Sequence, residues 1–446
     1  MIQRIKLFCV FSAFFGIFFV CMLNKELRAV HNDDDFFNNN AILKSEVVYL
    51  LKEYFKEAVQ IESTELVSNL KSKSSIVRIN IKPVNLIQEE LPKSCILKQT
   101  LSKKSFDQDE EALRRFSQEW AGLQFLNKIG IESPYFPKLY GGSQKNHFVL
   151  IEDLGKKHLS LADSLTGSDA GKATKALERL MKTLGRLHAD SYTETQIYSE
   201  LLKKINNNTK SWENKMGSIW DQLSDNFKSL SKLIKFSQNN ELSSEIKMVI
   251  ESVLKPGPFT TLSHGDMCPD NVFDNPERDR LFFIDFELCS IRSALLDATY
   301  LRMSMPSCWC AKNIPQEIID QVEKTYREEL AKKVPAAQDN DESYQTAYLH
   351  ACAFWALRAL LDIEDLMEKD LLWKSSNISE ESLWNPETNF KRPRILSRLQ
   401  DFMTISKMHN KLHNLRIIIE EIMTELIAHW PDTKPMDVYP AFLPRL

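Results

Sequence analysis

From Thr261 to Phe286 the chain reads TLSHGDMCPDNVFDNPERDRLFFIDF, and no other stretch restricts its folding as tightly. Gly, Pro, Asn and Asp crowd a tight loop after His264, and an apolar strand ending in Asp285 follows. The chain must turn sharply and return, which brings Asp266, Asn271 and Asp285 to one point. Phosphoryl transfer needs these residue types together. One carboxylate orients or deprotonates the attacking hydroxyl, while an amide oxygen and a second carboxylate hold Mg²⁺ on the nucleotide phosphates.

The composition allows a large core around such a site. Of 446 residues, 43% are hydrophobic and 26% charged, which argues against wholesale disorder. The 57 Lys and Arg against 61 Asp and Glu leave a net charge of −4, so no strongly basic surface is implied and nucleic acid is not an expected partner. Eight Cys are too sparse for a disulfide scaffold.

The N-terminal segment, residues 1–30, contains the run Leu7–Leu23, 17 residues without a charge. Its length is at the short limit for a membrane span, and no small-x-small cleavage site follows, since Asn24, Lys25 and Glu26 come next. A membrane anchor is the expectation, with the catalytic part on the ATP-containing side. A cleaved signal, giving a secreted protein, and a buried helix of a cytoplasmic one are the alternatives. Residues 31–40 read as a polar linker.

Beyond the linker, spacing of three and four residues predicts a helix from Ala41 to about Glu65. Alternation predicts strands over 76–81, 94–98 and 147–151, with a helix over 110–128 between them. Pro134, Pro137, Gly141 and Gly142 are read as chain breaks. After Gly155 the chain becomes mainly helical, with stripes at Leu177–His188, Phe354–Leu361 and Leu412–Leu426. The expected class is α+β: residues 41–155 as a small mixed lobe that binds nucleotide, and 156–446 as a larger helical lobe with the catalytic loop and the acceptor-binding helices.

The motifs HGDMCPDN and IDFE resemble those of the aminoglycoside phosphotransferase and choline kinase-like enzymes, which share the protein-kinase-like bilobal fold. The resemblance runs from about Lys71 to Leu361. It implies Asp266 as catalytic base, Asn271 and Asp285 as Mg²⁺ ligands, and Asp297 in LLDATYL as a brace of the catalytic loop that opens at His264. His188 in GRLHA is implied to be structural, which is also the usual role of a lone helical His. Lys98, at the end of a strand, matches the lysine that pairs the phosphates of ATP, and Glu119 in FSQEWAGLQFL its ion-pair partner. Glu110 and Glu111 compete for that role, but Glu119 lies among apolar residues. Glu152, Asp153 and Leu154 resemble the hinge whose backbone groups hold adenine. One departure is the lack of any Gly between Gly16 and Gly122, so Lys71–Ser75 must replace the usual glycine-rich phosphate loop.

Other residues invite weaker readings. Cys308–Trp309–Cys310 offers two thiols with poor disulfide spacing and too few ligands for zinc, so packing or local substrate-pocket structure is expected; Cys268 is read as a loop-packing residue. Glu364, Asp365, Glu368 and Asp370, with Glu380 and Glu381, read as a solvated helix face, although an acidic wall suits a cationic acceptor. The function expected is transfer of the γ-phosphate of ATP to a hydroxyl of a small molecule. A protein kinase is disfavoured, because Gly265 replaces the Arg that would pair an activation-loop phosphate and no Ala-Pro-Glu segment follows IDFE. A membrane-tethered pseudokinase that binds nucleotide without turnover is the rival, and the missing glycine loop is its best support.

Overall fold

The structure, a computed structural model, describes residues 36–37, 41–67, 73–84, 91–131, 134–156, 159–207, 212–236, 240–338, 342–372 and 386–444. Two compact units divide the chain: Met1–Phe116 with Leu139–Asp153, and Ser117–Lys138 with Leu154–Leu446.

In the first unit, helix α1 (Ala41–Phe55) precedes the strands β1 (Val59–Leu66), β2 (Ser74–Pro83), β3 (Ser94–Thr100), β4 (Leu139–Ser143) and β5 (Phe148–Glu152). They form one antiparallel sheet in the order β1-β2-β3-β5-β4. Period-two patterning puts Val77, Ile79 and Ile81 of β2 and Cys95 and Leu97 of β3 into one core with Leu43, Val47 and Leu51 of α1. Burying each aliphatic side chain contributes about 2 kcal/mol, so this shared face decides how the sheet and the helix combine.

The first helix ends at Phe55, well before Glu65. Lys56 adopts φ +58, which stops the helix, and from Val59 to Leu66 the chain pairs with β2. Ladder pairing wins over the helical spacing because β2 would otherwise present an open edge. Gly141 and Gly142, read as breaks, lie within β4. A Cβ on Gly141 would sit 3.4 Å from the Leu50 side chain, so the glycine lets α1 approach the sheet closely. Lys71–Ser75 runs into β2 rather than the first strand: Ser74 and Ser75 open β2, and Lys71 and Ser72 lie outside the described residues.

The second unit is mainly helical. It contains the end of α2 (Glu110–Lys128), then α3 (Leu161–Thr166), α4 (Ala170–Ser191), α5 (Thr195–Ile205), α6 (Trp212–Leu233) and α7 (Asn240–Leu254). After α8 (Ala294–Ala298) come α9 (Gln316–Ala331), α10 (Glu342–Leu360), α11 (Ile363–Leu366), α12 (Lys391–His409) and α13 (His413–His429). Helix α4 packs on α9, and α10 on α12. Two small sheets sit among them: β7 (Thr260–Ser263) with β10 (Ser290–Ser293), and β6 (Leu159–Ser160) with β8 (Val272–Asn275) and β9 (Arg280–Phe283).

The membrane-anchored localisation expected from the N-terminal run is corrected. Among the described residues no helix is long and apolar enough to cross a membrane. The longest, α4 and α6, carry Lys, Arg, Asp or Glu in most turns, and a lipid core would not accept these charges. Leu7–Leu23 itself lies outside the described residues.

Candidate active site

The site is built on a hairpin. Strands β8 and β9 pair from Val272↔Phe283 to Asn275↔Arg280, and the Ile284 N–H donates to the Asn271 carbonyl at 3.0 Å. Asn271, just before β8, therefore sits beside the residue before Asp285. Arg179 of α4 grips this hairpin with two 2.7 Å bonds to Asp274. Asp285 adopts φ +66, a left-handed conformation that Asp tolerates better than most residues.

The loop before β8 is held by Asp297 of the short helix α8. The carboxylate accepts the His264 N–H at 2.7 Å and the Gly265 N–H at 3.4 Å, and Arg292 donates to it at 3.4 Å. His188 Nε2 lies 3.5 Å from the same carboxylate, while Nδ1 meets the Tyr326 hydroxyl at 2.8 Å. Burial alone would raise the Asp297 pKa, but His188 and Arg292 overcome it and hold the carboxyl below the usual range. Gly265 has φ +86, and a Cβ there would meet the Leu288 carbonyl oxygen at 2.4 Å, so only glycine fits. His264 Nε2 donates to the Ile284 carbonyl at 2.9 Å, which leaves Nδ1 to accept the Asp266 N–H at 3.3 Å. Burial lowers the His264 pKa, in keeping with this neutral tautomer.

Asp266 is fixed at both oxygens. Ser307 donates to Oδ1 at 3.1 Å, and Asn271 Nδ2 donates to Oδ2 at 3.2 Å and to the Asp266 carbonyl at 3.1 Å. Burial, then the charges of Asp285 and Asp270, push the carboxyl up to about 7, with the Ser307 bond opposing them. Asp270 is also raised, first by burial, against a 2.8 Å bond from Trp309 Nε1. The crowding of Asp266, Asp270 and Asp285 is a field that a divalent cation would relieve. Engaging Nδ2 of Asn271 with Asp266 turns its amide oxygen, the ligating end, elsewhere. The donor set therefore fits Mg²⁺.

Sequence reasoning singled out Cys308–Trp309–Cys310 for packing or local substrate-pocket structure but missed Ser307 beside it. Tyr300 and Ser307 share a 2.7 Å hydroxyl bond. From α12, Arg394 donates to the Cys308 carbonyl at 2.7 Å, and Arg398 to those of Met303 at 3.1 Å and Pro306 at 3.0 Å. Cys268 is disulfide-bonded to Cys308, not merely packed in its loop. Only the position of Cys268 inside HGDMCPDN could have flagged it.

In the first unit Lys98 is buried on β3, paired with Ile76 of β2 and Val149 of β5. Glu119 of α2 is buried and is described with the second unit, whereas Glu110 is exposed and Glu111 pairs with Arg114 at 2.9 Å. Glu152 ends β5, and Leu154 follows in the second unit. The Asp153 side chain serves the sheet: Arg78 Nε and Ser94 Oγ both donate to its Oδ2 at 2.6 Å. Glu364, Asp365 and Glu368 are exposed, Asp370 accepts the Arg392 N–H at 3.0 Å, and Glu380 and Glu381 lie outside the described residues.

Residues 73–338 match the model of the ecdysteroid kinase-like family. The chain belongs to that family. HGDMCPDN and IDFE both fall inside the matched residues, and the α+β, kinase-like fold class that they imply is borne out for this family member. The chain is also similar in structure to the choline kinase LicA from Streptococcus pneumoniae, at 13% identity and a TM-score of 0.40, covering 82% of this chain and 99% of that one. Similarity extends to an aminoglycoside 2'-phosphotransferase-IIIa in its GDP complex (13%, 0.42, 72% and 92%). An ethanolamine kinase of Plasmodium vivax gives 13%, 0.39, 83% and 92%. No curated protein matches the chain in sequence.

Proposed function

We propose that this ecdysteroid kinase-like protein transfers the γ-phosphate of ATP to a hydroxyl of a small molecule, with Asp266 as base. The observation that carries the reading is the state of Asp266. Its carboxyl, pushed up to about 7, is held at both oxygens by Ser307 and Asn271. A base poised near neutral pH can take a hydroxyl proton as the oxygen attacks, and a fixed carboxylate loses little freedom in doing so. Asn271 and Asp285 would hold Mg²⁺, which when bound supplies charge neutralisation on the phosphates. Lys98 is assigned to the phosphates, Glu119 to its support, and the backbone of Glu152, Asp153 and Leu154 to the base of the nucleotide. These assignments rest on the motif resemblance.

The family's name makes an ecdysteroid hydroxyl the first acceptor to test. A library of ecdysteroids, amino alcohols, sugars and nucleosides is screened for acceptor-dependent ADP release, with Asp266→Asn as the control. Turnover that falls by roughly 10²–10⁴ in that variant supports the base, while nucleotide affinity moves less than about tenfold. Nucleotide binding with no acceptor-dependent ADP release in the wild type would favour a pseudokinase instead.

A further inference from the structure

The Asp266 loop is joined covalently to the segment that supports it. Cys268, just beyond Asp266, bonds to Cys308, and Cys308 follows Ser307, whose hydroxyl holds Asp266 Oδ1. A third sulfur, on Cys310, lies 3.2 Å from Cys308 Sγ, and the three buried sulfurs lie within 4.8 Å of one another. Among the described residues the other cysteines, Cys95, Cys289 and Cys352, are unbridged. Arg394 and Arg398 hold the segment from α12 and Trp309 Nε1 reaches the loop at Asp270, while Cys268–Cys308 is the covalent tie, made at the residue next to Ser307.

We propose that Cys268–Cys308 is a reducible clamp: closed, it holds Ser307 on Asp266, and opened by a dithiol, it lets that bond lapse and turnover fall. The proposal rests on the reading of Asp266 as base. In the reduction, one thiolate of the dithiol attacks Cys268 Sγ, the less buried of the pair, and Cys308 leaves as a thiolate. The second thiolate of the reductant then displaces Cys268 from the mixed disulfide. The dithiol becomes a disulfide, and its two electrons and two protons end on the cysteine pair. The S–H of Cys310, at hydrogen-bonding distance from Cys308 Sγ, is placed to meet the departing thiolate, which favours exchange at this bond.

The test equilibrates the full chain in buffers of reduced and oxidised dithiothreitol, then labels thiols with a maleimide for mass spectrometry. Labelling of Cys268 and Cys308 should appear only on the reducing side. Hydrogen–deuterium exchange should then rise in peptides covering 264–271 and 303–310, and kcat should fall about tenfold, the loss expected for one hydrogen bond to a charged group. Cys268→Ser should sit at the reduced level and ignore the buffer, and Cys352→Ala should keep the response. The wild-type titration decides the matter if Cys268→Ser does not fold. Labelling of Cys268 or Cys308 without reductant, an opened bond with unchanged exchange, or a stoichiometric metal retained by the reduced sulfurs would each overturn the clamp. Exchange that responds while no acceptor turns over in either state would instead sink the phosphotransferase reading and leave the clamp standing.

Discussion

The Ser307 hydroxyl donates to Asp266 Oδ1 at 3.1 Å across 41 residues of sequence. Because that proton is committed, the 2.7 Å contact between Tyr300 and Ser307 must be donated by the tyrosine. A Tyr–Ser–Asp chain therefore runs into the carboxylate, and each bond strengthens the next.

Removing its middle member should change how Asp266 titrates. Ser307→Ala withdraws a donor that favours the ionised form, so the Asp266 carboxyl should move further above about 7. The acid limb of the kcat–pH profile should shift to higher pH, with kcat at pH 7 down roughly tenfold. Ser307→Thr should restore both. A profile whose limb does not move would reduce Ser307 to a packing role.

The same carboxyl should link stability to pH. Its folded pKa, about 7, lies above the roughly 3.9 of an unfolded aspartate. Its stabilising contribution is thus complete at acid pH and is lost as pH rises through about 7, when a charge must be held beside Asp285 and Asp270. Asp266→Asn should accordingly raise the melting temperature more at pH 8 than at pH 5. Calorimetric scans giving the same increment at both would show that the carboxyl is not strained by its surroundings.

Asp285→Asn should discriminate between two forms of the nucleotide. Calorimetric titration should find Mg·ATP binding weakened by well over tenfold and metal-free ATP binding little changed, because the lost charge serves the metal. Equal losses would remove Asp285 from the metal site.

Asp153→Ala should act on stability. It removes the acceptor of Ser94 and leaves Arg78 with its 3.3 Å bond to Glu65, and a broken, largely buried ion pair costs about 3 kcal/mol. Urea unfolding should show that loss, while nucleotide affinity of the folded protein stays unchanged if only the backbone of Asp153 is used. A weaker affinity with normal stability would assign the carboxylate itself to the nucleotide.

The residues of the Asp266 hairpin were legible in the sequence because turn chemistry is local. Gly265 answers a positive φ and a carbonyl only 2.4 Å from any Cβ, and Pro, Asn and Asp shape a hairpin that sets Asn271 beside Ile284 within one supersecondary unit. The strands β2, β3 and β5 and the helix of Glu119 were legible for a related reason: apolar period reports which face is buried. The boundary after Phe55 was not, because the spacing of Val47 to Phe55 carries no stop signal and residues 59–66 become a strand only where β2 offers them a ladder.

Tertiary structure alone set Ser307 against Asp266. Nothing near residue 307 in the sequence distinguishes Ser307 from any other serine, and Cys308 gives no sign of Cys268. Their positions depend on Arg394 and Arg398, which reach back from α12 to bare backbone carbonyls. A carbonyl has the same chemistry in every residue, so such a contact leaves no mark on the sequence of the segment it holds. Local steric rules determine where the chain turns; only the packing of distant helices determines which side chains those turns will meet.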